Sequence, residues 1–230
     1  MPKTRLRIFI HSIIIVAFLS SCNPSKKATI HIEPGMVGMV GYGSLMSLQS
    51  MESTLERAYT DSIYRIHLEG FIRDWNFIFP NYDTTDPRIE FLKYDGFYIN
   101  DNDTLLFDKS LAMNIMPKEK GRVNCVLYFI SSEEMTGFDK REWGYERIDV
   151  TDRIEEYEFT GGKVFTFKAI PEYTYNHDLD LDGIILDKSY VDRVTNACDS
   201  IGIDFREEFE ASTIAYNPEI VAPVIWKKVR

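Results

Sequence analysis

Between residues 62 and 170 the chain is largely a succession of short strand-like runs, the last of them alternating apolar and polar side chains, and this excess of strands makes a sheet its main scaffold. Strand-like runs occur at Ser62–Leu68, Phe71–Phe79, Leu111–Met116, Arg122–Ile130, Tyr145–Val150, Glu155–Phe159 and Lys163–Ile170. Gly70 separates the first two, and Gly161-Gly162 reads as a hairpin turn between the last two. An earlier strand, Met36–Gly43, ends in glycines and delivers a turn at its C-terminal end. Helical spacing is confined to a few places. Ser50 is placed to cap a helix running to Tyr59, and Ser131-Ser132-Glu133-Glu134 opens a short one that ends near Glu142. Two more cover roughly Lys188–Ser200 and Phe205–Ser212, separated by Gly202. Residues 83–109, with acidic turns at Asp86-Pro87 and Asn100–Asp103, read as an inserted hairpin region. The strand excess predicts an α+β fold, a mixed, partly closed, barrel-like sheet with peripheral helices.

The N-terminus belongs to a different regime. Lys3, Arg5 and Arg7 precede the apolar runs Ile8–Ile10 and Ile13–Leu19, which stop at Ser20-Ser21-Cys22. A span across a bilayer needs roughly 20 apolar residues, so this basic head, short apolar core and small-residue exit reads as a secretory signal over residues 1–21. Leu19-Ser20-Ser21-Cys22 resembles a bacterial lipobox. The resemblance implies an acylated Cys22 and a lipid anchor in the cell envelope, on the periplasmic or outer side; plain secretion with an incidental cysteine is the alternative. Residues 22–35 carry Pro24, Lys26, Lys27 and Pro34 without apolar periodicity and read as a tether, leaving 36–230 as a single domain with a substantial core.

Removing the signal takes three basic residues and no acidic ones, leaving 23 basic against 36 acidic side chains, a balance of −13. Such a surface disfavours nucleic acid and anionic lipid head groups, so the anchor is the expected membrane contact. With Cys22 assigned to lipid, Cys125 and Cys198 remain; both lie in apolar or helical surroundings and read as buried thiols, with a disulfide between them as the alternative. His31, His67 and His177 are isolated from one another and from cysteine, so no transition-metal constellation is legible. Asp178-Leu179-Asp180-Leu181-Asp182-Gly183 has the opening of a calcium loop, but its twelfth position is Ser189 instead of a bidentate glutamate, so a polar loop entering the next helix is expected.

Two segments carry chemistry. In Gly41-Tyr42-Gly43-Ser44-Leu45 the glycines permit close backbone approach, and the amides of Gly43, Ser44 and Leu45 can converge on an oxygen. The turn ends in neither a dinucleotide nor a P-loop pattern. Roughly a hundred residues later stands Glu142, next to Lys140 and Arg141. Taken alone, the turn is punctuation between elements and the glutamate a surface ion pair with Lys140, Arg141 or Arg147.

Gly41-Tyr42-Gly43-Ser44-Leu45 resembles the signature loop of the γ-glutamylcyclotransferase superfamily, and three further blocks follow in order. Gly70-Phe71-Ile72-Arg73-Asp74-Trp75 resembles its Gly-aromatic-x-Arg-x-Trp strand, and Met113–Pro117 with Gly121–Tyr128 the strand pair before the catalytic segment. Phe138-Asp139-Lys140-Arg141-Glu142-Trp143-Gly144-Tyr145-Glu146-Arg147 resembles the segment Leu-Asp-x-x-Glu-x-x-Tyr-x-Arg. Phe138 replaces the usual leucine, Cys125 a usual glycine, and residues 83–109 stand as an insertion that could reshape the pocket rim. The resemblance implies ring closure without a cofactor: the α-amine of a γ-glutamyl amine or peptide attacks its own γ-carbonyl and 5-oxoproline leaves. It makes Glu142 the general base and acid, and the 42–45 amides the cradle for the substrate carboxylate or oxyanion. Tyr42 and Tyr145 would wall the pocket, and Arg73 is a candidate to hold a substrate carboxylate, although a strand arginine more often packs its stem and solvates its head. Outside the cytoplasm the expected substrates are free γ-glutamyl fragments, because wall-bound stem peptides have their amine acylated. The alternative function is a non-catalytic envelope lipoprotein that binds a small ligand or a partner on the same fold.

Overall fold

Two long antiparallel strands form the spine of the fold. The computed structural model describes residues 27–80, 96–100, 103–104, 109–177 and 183–228. Strands β1 (Ala28–His31) and β2 (Met36–Gly41) are followed by α1 (Leu48–Leu55), β3 (Tyr64–Pro80), β4 (Gly96–Asn100), β5 (Asp103–Thr104) and β6 (Lys109–Ser131). Then come α2 (Met135–Arg141), β7 (Tyr145–Asp149), β8 (Tyr157–Thr160), β9 (Val164–Ala169), β10 (Ile184–Asp187), α3 (Lys188–Ile201), α4 (Ile203–Ala211), β11 (Val221–Ala222) and β12 (Ile225–Lys228). The fold is mixed α+β, as the strand excess predicts.

Among the described residues the main sheet has seven strands. Its order is β11-β10-β6-β2-β9-β7, with β3 on the other edge of β6. The path is open, and single bridges at Leu68–Ile154, Arg73–Thr213 and Phe77–Thr174 tie β3 to later segments. Helices flank the sheet.

The four runs read as separate strands at Ser62–Leu68, Phe71–Phe79, Leu111–Met116 and Arg122–Ile130 are in fact two continuous strands. Their breaks face each other: Glu69 pairs with Arg122 and Phe71 with Pro117, so Gly70 at φ +86 and residues 118–121, of which 118–120 are exposed, form one bulge. Alternation is lost at a bulge although the chain stays extended, so the sequence period breaks where the strand does not. Beyond the bulge Val123–Tyr128 are all buried, with β3 on one edge and β2 on the other. Met39, Ile66, Leu68, Ile115, Leu127, Tyr128 and Phe138 sit at the centre of the core, each 0% exposed. Complete burial of an Ile or Leu side chain contributes about 1.5–3 kcal/mol. Cys125 and Cys198 are buried, free thiols in this core.

Three further expectations are corrected. The tether does not extend to residue 35: Ala28–His31 pairs in parallel with Tyr157–Thr160, and Ile32 is 1% exposed in the core. The short Ile30/Ile32 alternation is what anchors it. Gly161-Gly162 does not close a hairpin, because β8 pairs with β1 while β9 pairs with β2 and β7. The units β1–β2 and β8–β9 run side by side, and Ile32 N–H donates to the Thr160 carbonyl at 2.8 Å across them. The cap of α1 is Ser47, whose hydroxyl accepts from the Ser50 amide. The capping box before α2 is present: the Ser131 hydroxyl accepts from the Glu134 amide at 3.1 Å and the Glu134 carboxylate from the Ser131 amide at 2.8 Å. Of the insertion, β4 and β5 pair antiparallel and β12 pairs on the other side of β4; Ile89–Tyr94 lies outside the described residues. Cys22 and Asp178–Asp182 also lie outside them, whereas Ser189 engages Asp187 at the start of α3.

Candidate active site

The site occupies a gap in the sheet. Along one edge of β6, β10 pairs at residues 109–110 and β2 only from residue 126 onward. Met113 lies in that gap, and on the opposite edge it falls at the register shift between Asp74 and Phe77. Its backbone groups still need partners. Two tyrosines supply them: Met113 N–H donates to the Tyr190 hydroxyl at 3.1 Å, and the Tyr145 hydroxyl donates to Met113 O at 2.8 Å.

The turn 41–45 closes the gap from the β2 side. After Gly41 the chain makes one 3₁₀ turn over Ser44–Met46, with Met46 N–H bonding Gly43 O. The Ser44 and Leu45 amides precede that first bond, where the turn has no carbonyl to offer them. A Cβ on Gly41 would sit 2.5 Å from the Leu45 carbonyl oxygen, and one on Gly43 would sit 2.9 Å from Met113 Cβ. Glycine is therefore required here by close approach of the chain to itself. Tyr42 is 7% exposed, with its hydroxyl near the Ile115 backbone.

Glu142 enters from the end of α2, where its amide bonds Phe138 O and its carbonyl accepts from Tyr145 N–H, both at 2.8 Å. An inner hollow of about 30 Å³ is lined by Tyr42, Gly43, Ser44, Leu45, Met113, Glu142, Tyr145 and Tyr190, with Val40 and Phe167 behind them. It holds little more than a water or two. An outer cleft of about 360 Å³ shares Ser44, Glu142, Tyr145 and Tyr190 with it. Burial raises the Glu142 pKa above the usual glutamate value, with Arg141 opposing. The phenols of Tyr42, Tyr145 and Tyr190 are also raised, chiefly by burial. These three stay protonated as donors.

The ion pair of the alternative reading exists, but it is not a surface one. Arg141 Nε lies 3.0 Å from Glu142 Oε1, and the Glu142 side chain is 15% exposed. Arg147 pairs with Asp139 instead. Arg141 also donates to Ser50 O at 2.9 Å, Thr54 Oγ1 at 2.6 Å, Ser50 Oγ at 2.9 Å and Ser44 Oγ at 3.2 Å. It ties α1, the 44–46 turn and Glu142 into one unit. Arg141→Gln should shift the acid limb of any Glu142-dependent activity to higher pH, because the positive charge that lowers the Glu142 pKa is gone. A pH–rate profile reads this directly, and a purely structural role would lower the whole curve without moving its limb.

Arg73 is not in the site. It is 0% exposed and lines neither the hollow nor the outer cleft; Nη1 donates to Asn124 O at 2.6 Å, Nη2 to Asn124 Oδ1 and to Ser212 Oγ, and Nε to Thr213 Oγ1 at 3.0 Å. Its guanidinium carbon lies 4.3 Å from the centre of the Phe209 ring, and burial lowers its pKa to about 10. The substrate role expected for it is corrected to a structural one. Tyr190, Met113 and the bracing by Arg141 were not legible as site features: Tyr190 opens a helix like any amphipathic tyrosine, and Met113 matters through its backbone.

One group away from this site has metal-ligand chemistry. Ligand atoms of His67, Glu155 and Glu156 lie within 4.8 Å of one another. Sequence could not find it, since the histidine and the glutamates are far apart in the chain. Arg122 is bonded to both Glu155 and Glu208 there, so the Glu155 carboxylate already faces a guanidinium, while Glu156 is held by His67.

No family model and no curated protein matches the chain. Similar solved structures include a gamma-glutamyl cyclotransferase, 12% identical over 80% of this chain and 95% of that one, with a TM-score of 0.48. They also include an uncharacterized protein from Homo sapiens, 12% identical over 81% and 96% with a TM-score of 0.47. A protein of Arabidopsis thaliana is 21% identical over 64% and 75%, with a TM-score of 0.37.

Proposed function

We propose that this protein is a cofactor-independent cyclotransferase that releases 5-oxoproline from γ-glutamyl amines or peptides. The observation that carries the reading is the meeting of a buried, raised-pKa carboxylate, Glu142, with the Tyr42–Leu45 turn in one hollow. The order of sequence blocks resembling the superfamily supports it independently.

In the proposed reaction the substrate ammonium gives a proton to the Glu142 carboxylate, and the freed α-amine attacks the γ-carbonyl carbon. The new C–N bond closes a five-membered ring, and the carbonyl oxygen becomes an oxyanion facing the Ser44 and Leu45 amides. Collapse breaks the original C–N bond while Glu142 returns its proton to the leaving nitrogen, and the second proton of the ring nitrogen passes through the same carboxylate to the departing amine, leaving a neutral lactam. No water is consumed. Ring closure is intramolecular, so holding the glutamyl chain folded supplies much of the acceleration. A carboxylate whose pKa is raised accepts and returns a proton more readily near neutrality than an ordinary glutamate.

The test is incubation with free γ-glutamyl dipeptides and detection of 5-oxoproline. An N-acylated dipeptide should be inert, and turnover of one would contradict the nucleophile. The small inner hollow favours a second reading, a binding module whose ligand stays in the outer cleft; dipeptide binding without 5-oxoproline would select it.

We also propose that Cys22 carries a lipid anchor in the envelope, on the strength of the signal-like N-terminus and Leu19-Ser20-Ser21-Cys22. Cys22→Ser should abolish fatty-acid labelling and release the protein from the membrane fraction.

A further inference from the structure

The outer cleft has two unlike walls. On one side stand Phe77, Phe79 and Trp143, which belong to a satellite apolar cluster separate from the main core. Trp143 presents its ring edge-on to Phe77, Phe79 and Tyr173, with ring centres 6.2, 5.6 and 4.9 Å apart, and remains half-buried. Phe77 in turn stacks on Tyr145 at 4.2 Å, so this wall is continuous with the inner hollow.

On the other side stand Arg193 and Asp187, from α3 and its cap. Asp187 is engaged, accepting from the Ser189 amide and hydroxyl, both at 2.8 Å. Arg141, also at the rim, is held by Glu142, Ser44, Ser50 and Thr54. Arg193 is exposed and has no hydrogen bond or ion pair among the described residues. A free guanidinium beside a cleft, in a chain whose overall balance is acidic, is an unfilled site for a carboxylate.

Resting on the cyclotransferase reading, we propose that this cleft selects the leaving group: an amino acid whose aromatic or large apolar side chain lies on the Phe77–Trp143 wall and whose carboxylate meets Arg193. On the proposed reaction the γ-carbonyl lies at Glu142, where the small inner hollow opens into this cleft, so the leaving group extends along its walls. A ring placed on aromatic edges leaves water and gains quadrupolar contacts, and the guanidinium fork matches a carboxylate. Cationic leaving amines meet like charge and are disfavoured.

The experiment compares γ-glutamyl-phenylalanine, γ-glutamyl-alanine and γ-glutamyl-phenethylamine with the full chain, reading kcat/KM for 5-oxoproline. The phenylalanine dipeptide should exceed each of the others by tenfold or more. Trp143→Ala should collapse the phenylalanine/alanine ratio and spare the carboxylate ratio; Arg193→Gln, at an exposed position that tolerates change, should do the reverse. Equal turnover of all three overturns the inference and leaves the cyclotransferase reading standing. If none yields 5-oxoproline, that reading fails, and calorimetric binding of the same compounds decides the inference: the same order of affinity upholds it, and equal or absent binding overturns it.

Discussion

Replacing Glu142 with glutamine should lower 5-oxoproline formation by about two to four orders of magnitude, the usual contribution of a positioned acid–base group. The amide keeps the shape of the side chain and cannot carry the proton. Binding should persist, so the loss should fall on kcat more than on KM. The fold should not suffer. The folded-state pKa of Glu142 is raised, so across the interval from the ordinary glutamate value to that raised value the native protein holds more proton than the unfolded chain. Stability therefore falls as pH rises through this window and stays lower above it. Glutamine does not titrate, and calorimetric melting of the variant should show a flatter dependence on pH than the parent. Parallel loss of melting temperature and activity would instead make Glu142 a structural residue.

Arg73→Ala should do the opposite, costing about 3–5 kcal/mol of stability, as removal of one member of a buried polar network does. At about 2–4 °C per kcal/mol for a chain of this size, the melting temperature should drop by about 10 °C. The reason lies in what remains: the Asn124 carbonyl and side-chain oxygens and the Thr213 and Ser212 hydroxyls lose a shared donor, and a cavity opens under Phe209. Lysine, with one ammonium in place of a fork, should restore little. Activity per folded molecule should survive, measured well below the lowered transition; a selective rise in KM with unchanged stability would return Arg73 to the substrate.

Much of this architecture was legible because its cause is local. The period-two runs are imposed by a sheet with a buried face, and the ends of α3 and α4 by Gly202. The link between Gly41–Leu45 and Glu142 was legible through resemblance, whereas the reason for the glycines is a clash with Leu45 O and Met113 Cβ that no sequence period encodes. What escaped is non-local. Ile32 looks like a stray apolar residue until β8 arrives beside it, and the break at Gly70 looks like a strand end until residues 118–121 bulge opposite. Arg73 stands in a motif-bearing strand with its guanidinium consumed by Asn124, Ser212 and Thr213, partners that lie 51 to 140 residues away and leave no local pattern. Tyr190 and Tyr145 are selected by the needs of one backbone position, Met113, and nothing in their own neighbourhoods announces that task.

That last arrangement has a consequence for when the protein can act. The gap beside Met113 is filled by hydroxyls from Tyr145 and Tyr190, so a chain that emerges N-terminus first carries its turn and its glutamate long before the reaction chamber exists. Strands β3 and β6 can pair without it, but the chamber forms only once α3 has docked, a late event because its contacts span so much of the sequence. On the cyclotransferase reading, a chain still in transit should be inactive, and 5-oxoproline formation should begin only after its final fifth has arrived.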